Sequence, residues 1–171
     1  MTQVIKNIAA FQVGWFACVL GGAHGLPWLG LVIAALVLTL HLFHAHQPRQ
    51  ELYLLIWVFL LGVLFDSVLL NLGWIVFPHD GLGILPPLWM LTLWLLFATT
   101  LNVSLRWMRG RAWLAALFGL IGGPMAYWGG SGLGALQLAA PLPMTIALAL
   151  GWAVLMPLFF KLSTRYDGFA K

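Results

Sequence analysis

The chain has 171 residues, 63% of them hydrophobic and 7% charged, where a soluble domain carries about 25% charged residues. No soluble fold of this size hides so much apolar surface, so the composition excludes a water-soluble domain and points to an integral membrane protein. The net charge of +4 is read as a topology signal rather than a nucleic-acid surface, because the basic residues fall in alternate loops.

Six apolar stretches follow one another, each close to the roughly 20 residues that a membrane span needs. The first is expected at about 5–24 and the second at about 28–44, joined by a tight Gly25-Leu26-Pro27 turn. Lys6, the apolar run and the Gly21-Gly22-Ala23 stretch faintly resemble a secretory signal. Gln12 and Trp15 interrupt the run, so the segment is read as a span. After the polar loop from His46 to Glu51, the third span is expected at about 52–77, long enough to require tilt. A loop with His79 and Asp80 leads to the fourth span, about 87–105, which starts at the Pro86-Pro87 pair. The fifth is expected at about 112–128, a Gly-rich connection at 129–142, and the sixth at about 143–160. All of this forms a single domain, 1–171.

Orientation comes from charge. Lys6, Arg49, Arg106, Arg109, Arg111, Lys161, Arg165 and Lys171 fall before the first span, in every second loop, and after the last. Cytoplasmic loops collect Lys and Arg, so both termini are expected in the cytoplasm. The expected fold is all-α, a bundle of six transmembrane helices with both ends inside. A transmembrane β-barrel is excluded, because its strands alternate over about 10 residues and these apolar runs are continuous and twice as long. Trp28, Trp74, Trp89, Trp107, Trp113 and Trp128 fall near expected span ends, where indoles prefer the headgroup region. Trp15, Trp57, Trp94 and Trp152 lie deeper, as core packing or as the walls of a lipid cavity.

Asp66 is the only Asp, Glu, Lys or Arg deep inside a span. A charged group at the bilayer centre costs about 2.5–3.5 kcal/mol on the insertion scale, so Asp66 is expected to face protein. Gly62 and Gly73 lie within about 40° of it on a helix, which marks a close-packing face. Asp66 is then either a structural hydrogen-bonding acid or a proton-carrying, substrate-contacting one. Its expected neighbours are Asn102 and Thr99 of the fourth span and Gln12 of the first. Trp89 and Thr92 share the stripe with Thr99 and Asn102, and Ser67 and Asn71 form a second polar pair.

His41, His44 and His46 crowd the end of the second span. His41 and His44, three apart, share a helix face and are the weak candidates for a metal. Three His without a Cys or paired carboxylate give too few ligands, so no metal is expected. His24, His79 and Asp80 form a weaker cluster. Cys18 is the only cysteine, which excludes an intrachain disulfide. Ala115, Gly119 and Gly123 form a small-residue ridge that Ala147 and Gly151 are expected to answer. Pro124 and Pro157 lie inside spans. No phosphate loop, zinc-protease, nucleophile-elbow or dinucleotide motif occurs, so no cofactor is expected and an enzyme is the less favoured reading.

The segments FQVGWFACVLGGAHG, GVLFDSVLLNLG, PPLWMLTLWLLFATTLNVSLRWM and GLIGGPMAYWGG resemble a family of small bacterial inner-membrane proteins of unknown function. The resemblance spans nearly the whole chain. It implies a multi-pass protein of the bacterial inner membrane, and gene neighbourhoods that include cyclopropane-fatty-acid-synthase-like genes. It transfers no catalytic residue. Three functions are therefore expected in order: an accessory to membrane-lipid modification or envelope maintenance, with membrane lipids as partners; a small proton-coupled transporter using Asp66; and a membrane-embedded lipid-modifying enzyme.

Overall fold

The computed structural model describes residues 2–79 and 82–170. These residues form six α-helices: α1 (Thr2–Ala23), α2 (Pro27–His44), α3 (Pro48–Asn71), α4 (Leu88–Leu101), α5 (Ala112–Gly132) and α6 (Pro141–Arg165). Two short strands, β1 (Ile75–Val76) and β2 (Gln137–Leu138), pair antiparallel with Ile75 opposite Leu138. By length and apolarity, α1, α2, α3 and α6 are each able to cross a membrane. α4 is apolar but has 14 residues, a length of about 21 Å at 1.5 Å per residue.

Local chemistry sets the boundaries. Pro27, Pro48 and Pro141 open α2, α3 and α6, where the missing N–H breaks no helix bond. α1 stops at a turn in which Gly25 has φ 67° and the Leu26 amide donates to the Gly21 carbonyl at 2.7 Å.

Four expected boundaries are corrected. α3 runs over Pro48–Asn71 rather than 52–77. It starts early because a Pro in the first turn and the buried carboxylate of Glu51 both suit a helix N-terminus. It ends early because Gly73, at φ 70°, turns the chain and the Trp74 amide returns to the Leu69 carbonyl. Residues beyond it leave the helix to form β1. α4 ends at Leu101, and residues up to Met108 continue as turns and a short 3-10 helix. α5 continues through the glycines to Gly132. Each Gly costs roughly 1 kcal/mol in a helix, but the Trp15 and Leu136 side chains pack over Gly129 and Gly130. α6 reaches Arg165 rather than stopping at 160, because polar partners described below hold its last turn.

α4 is the central helix, packed against α1, α2 and α3, while α5 lies along α6, which reaches α3 and α4. Glycines permit the tightest approaches. A Cβ on Gly30 would stand 2.6 Å from the Cys18 backbone, so α1 and α2 touch there. Gly119 and Gly123 receive Trp152 of α6, whereas Gly151 receives Phe65 of α3. The expected pairing of the α5 ridge with Ala147 and Gly151 is thus replaced by Trp152, whose backbone meets Gly119 beside Met156 and whose indole meets Gly123. Pro124 and Pro157 are both accommodated inside their helices.

The Asn7 amide donates to the Thr99 carbonyl at 3.1 Å and accepts from the Ser104 amide. The Gly168 amide donates to Glu51 at 3.1 Å. Both ends of the described chain therefore lie at one end of the bundle, with the α2–α3 and α4–α5 connections. Every described Lys and Arg lies at or near that end, and Lys171 falls outside the described residues. The β1–β2 pair closes the opposite end.

Candidate functional site

Three neighbouring features could carry function: a buried acid, a polar network at the basic end, and a groove.

Asp66 is fully buried. Gly62, one turn earlier, lets the Trp94 indole lie directly on α3. From there Trp94 Nε1 donates to Asp66 Oδ2 at 2.7 Å, and the Tyr127 hydroxyl donates to Oδ1. The acid thus joins α3, α4 and α5 through two neutral donors, and no Lys or Arg bonds to it among the described residues. Trp94 stacks on Trp152, centroids 4.9 Å apart at 14°. The indole N–H of Trp152 has no partner among the described residues.

The structure does not bring Asn102, Thr99 and Gln12 to Asp66. Asn102 lies eight residues beyond Trp94, a rise of about 12 Å, which places it in the other polar site. Thr99 donates to the Leu96 carbonyl of its own helix at 2.7 Å, and Thr92 likewise to Leu88. Gln12 is exposed on the wall of the groove. The sequence reading takes polar side chains as the partners, reads Trp94 as packing or a cavity wall and gives Tyr127 no role, so it misses both donors. Asn71 donates to the Ser67 and Ile84 carbonyls, tying α3 to the following loop.

At the basic end, Glu51 is fully buried in the first turn of α3, not in a polar loop. Its Oε1 stands 2.7 Å from His41 Nε2. Its Oε2 accepts from Asn102 Nδ2 at 2.6 Å and from the Gly168 amide. Asn102 also donates to the Tyr166 carbonyl and accepts from Arg109. Arg109 reaches Asp167 at 2.6 Å, with the Ser163 hydroxyl and carbonyl beside it. Arg106 shares Asp167 at 2.6 Å. Burial alone would raise the Asp167 carboxyl. The Arg109 hydrogen bond and charge, the Phe169 amide and the Arg106 charge outweigh it and hold the group below its ordinary value of 3.8.

His41 is therefore occupied by Glu51 and faced by Phe169, with ring centroids 5.0 Å apart. His44 bonds to the Leu40 carbonyl at 2.7 Å. Among the described residues, no three His, Cys, Asp or Glu side chains gather as metal ligands. Asp80, the expected partner of His24 and His79, lies outside the described residues.

The third feature is a groove of about 490 Å³ between α1, α4 and α5. It exists because α5 packs on α6 and leaves a gap to α1 and α4. On α1 its lining runs from Ile8 to Val19, about 16 Å along the helix. Phe11, Trp15, Trp89, Phe97 and Trp152 form much of its wall. Of the four deep indoles, Trp15, Trp94 and Trp152 reach it and Trp57 does not. The Trp15 ring crosses toward α5, 3.6 Å from where a Cβ on Gly129 would stand. Gly122 opens the opposite wall: a Cβ there would meet only the Phe118 ring, at 3.7 Å. Phe16 and Met125 on its rims are 47% and 67% exposed, so the groove faces sideways out of the bundle. Trp94 and Tyr127, the two donors to Asp66, also line it, so the acid fixes the groove's inner wall from behind.

The family model described as "Protein of unknown function (DUF2878)" matches residues 4–158. The chain belongs to the DUF2878 family. The match takes in Asp66, Tyr127 and the groove, together with Glu51 and Arg109; it ends before Ser163 and Asp167. No curated protein and no solved structure matches the chain.

Proposed function

We propose that this DUF2878 protein is a six-span protein of the bacterial inner membrane, both termini cytoplasmic, that holds one lipid chain in the groove between α1, α4 and α5. Its role is accessory to membrane-lipid modification or envelope maintenance. The groove carries the reading. It is apolar, rich in aromatic side chains, open sideways, and about 16 Å long, roughly half of a 30 Å hydrocarbon core. A site of that depth suits a chain from one leaflet.

The orientation draws on the basic residues gathered at one end. α4 and α5 run between the same two ends as the other four helices, which favours six spans over four. Reporter fusions after residues 47 and 108 should read cytoplasmic and a fusion after 134 periplasmic; one reversed loop overturns the layout.

The rival reading, a proton-coupled transporter working through Asp66, draws on the buried acid, but that carboxyl is sealed behind Trp94 and Tyr127. The enzyme reading relied on Asp66 with the His cluster; Asp66 is held by Trp94 and Tyr127, and one ring nitrogen of His41 and one of His44 are taken by Glu51 and the Leu40 carbonyl.

Native mass spectrometry tests the groove. Protein released from gentle detergent should carry one lipid mass, and Gly122→Leu, which extends a side chain from a position where a Cβ has room, should lose it. Equal adducts on both proteins would overturn the reading.

A further inference from the structure

The groove has two unlike ends. Near Trp89 and Leu136 it approaches the β1–β2 end, where no described Lys or Arg lies. Near Ile8, Ser104, Leu105 and Phe118 it opens toward the basic end. An occupant there meets a chain-shaped apolar wall below a positively charged rim.

Arg111 is one of five described Lys and Arg residues without an acidic partner; Lys6, Arg49, Lys161 and Arg165 are the others, and Arg111 is the one that adjoins α5. The described acids number three, and each is engaged: Glu51 with His41 and Asn102, Asp66 with Trp94 and Tyr127, Asp167 with Arg106 and Arg109. Arg111 has no acidic partner among the described residues and is exposed. It immediately precedes α5. Phe118 and Gly122 follow it by seven and eleven positions and lie about 40° apart on one side of α5, whose start Arg111 flanks as a non-helical residue. Arg111 therefore stands at the foot of the groove wall that Phe118 and Gly122 form. Its long side chain can extend to the headgroup level while its stem follows the apolar wall.

We propose that the occupant is an anionic phospholipid, with one acyl chain in the groove and its phosphate-bearing headgroup held by Arg111. This rests on the lipid-holding reading above and adds headgroup selectivity to it. Charge complementarity carries the choice. Both kinds of headgroup offer Arg111 a phosphate of matching geometry, but a zwitterionic one also brings an ammonium that the cations of the basic end repel, so net negative charge is favoured there.

The test uses the full chain in nanodiscs that contain a trace of phospholipid with a photoactivatable group near the end of one acyl chain. The probe is phosphatidylglycerol in one arm and phosphatidylcholine in the other. Labelling of Met90, Phe97 or Trp152 on the groove floor should favour phosphatidylglycerol by about fivefold, the factor expected for one basic residue near anionic lipid. Arg111→Gln should abolish the preference and Arg111→Lys should restore most of it. Equal labelling by the two lipids, or a preference that survives Arg111→Gln, overturns the headgroup proposal while leaving the groove reading intact. Labelling that a photoactivatable fatty acid takes over from phosphatidylglycerol also overturns it, in favour of a free carboxylate. If neither phospholipid labels the floor and Gly122→Leu changes nothing, the groove reading fails as well.

Discussion

The polar network at the basic end and the groove use their side chains in opposite ways. Around Glu51, Asn102, Arg109 and Asp167, donors and acceptors are matched across α2, α3, α4, α6 and the tail, and little is left to bind anything else. Around Trp15, Phe97 and Trp152, aromatic rings pack against the core on one side and turn an apolar face to the groove on the other. Asp66 sits between the two regimes, a buried acid matched by neutral donors that also form the groove's wall. The difference separates architecture from binding. A matched buried network fixes positions at high cost if broken, whereas the open side of the groove, at Gly122 and Met125, costs little to alter.

If that division holds, the largest effect belongs to the network. Glu51→Ala strands His41, Asn102 and the Gly168 amide, and should destabilise the protein by about 1–3 kcal/mol for each of the three buried groups left without a partner. Thermal unfolding in detergent measures it. A near-native midpoint would mean that the network is ornamental and that the contrast is misplaced.

Asp66→Ala comes next. It leaves the Trp94 and Tyr127 donors without their acceptor, at about 1–3 kcal/mol for each buried donor. Asp66→Asn keeps an acceptor oxygen and should fold and retain its bound lipid. Loss of lipid from a well-folded Asp66→Asn would move the acid from the architectural side to the binding side.

Two adjacent glycines sharpen the comparison further. Gly123→Ala drives a methyl into the Trp152 indole and should cost about 1–3 kcal/mol through overpacking. Gly122→Leu should stay within about 0.5 kcal/mol of wild type, while emptying the groove. Equal stability losses at the two positions would show that the groove is packed shut.

The smallest effect is electrostatic. Asp167 is held below its ordinary value of 3.8, so its contribution to holding the tail is present above that pH. The contribution is lost as pH falls through the lower folded value. The Phe169 amide donates to Asp167 at 3.0 Å, so its NMR shift should titrate with a midpoint below 3.8. A midpoint at or above 3.8 would mean that Arg109 and Arg106 do not hold the carboxylate.

Much of this architecture can be read from the chain alone. Apolar run length and the placement of Pro and Gly located six helices, because backbone bonds in an apolar medium must close within each segment. The end of α3 could not be read, since Leu72–Phe77 is as apolar as the helix before it and only the αL turn at Gly73 ends the run. The interior position of Asp66 followed from the cost of a lipid-facing acid. Its partners did not, because indole and phenol donors look like packing in a sequence. Glu51 carried a signal that went unused: with four acids in the whole chain against eight basic residues, an acid at the start of a span is scarce enough to imply a buried partner. The groove was beyond reach, since it reflects which helices fail to touch.

The central claim is that a lipid chain lies in the groove, and methionine methyl groups report on it directly. Met125 is 67% exposed, Met90 is 6% exposed on the groove floor, and Met156 is fully buried behind Gly119, outside the lining. In nanodiscs, nuclear Overhauser effects from acyl-chain protons should reach the methyls of Met125 and Met90 and should be absent at Met156. Contacts confined to Met125, with Met90 as silent as Met156, would contradict the account.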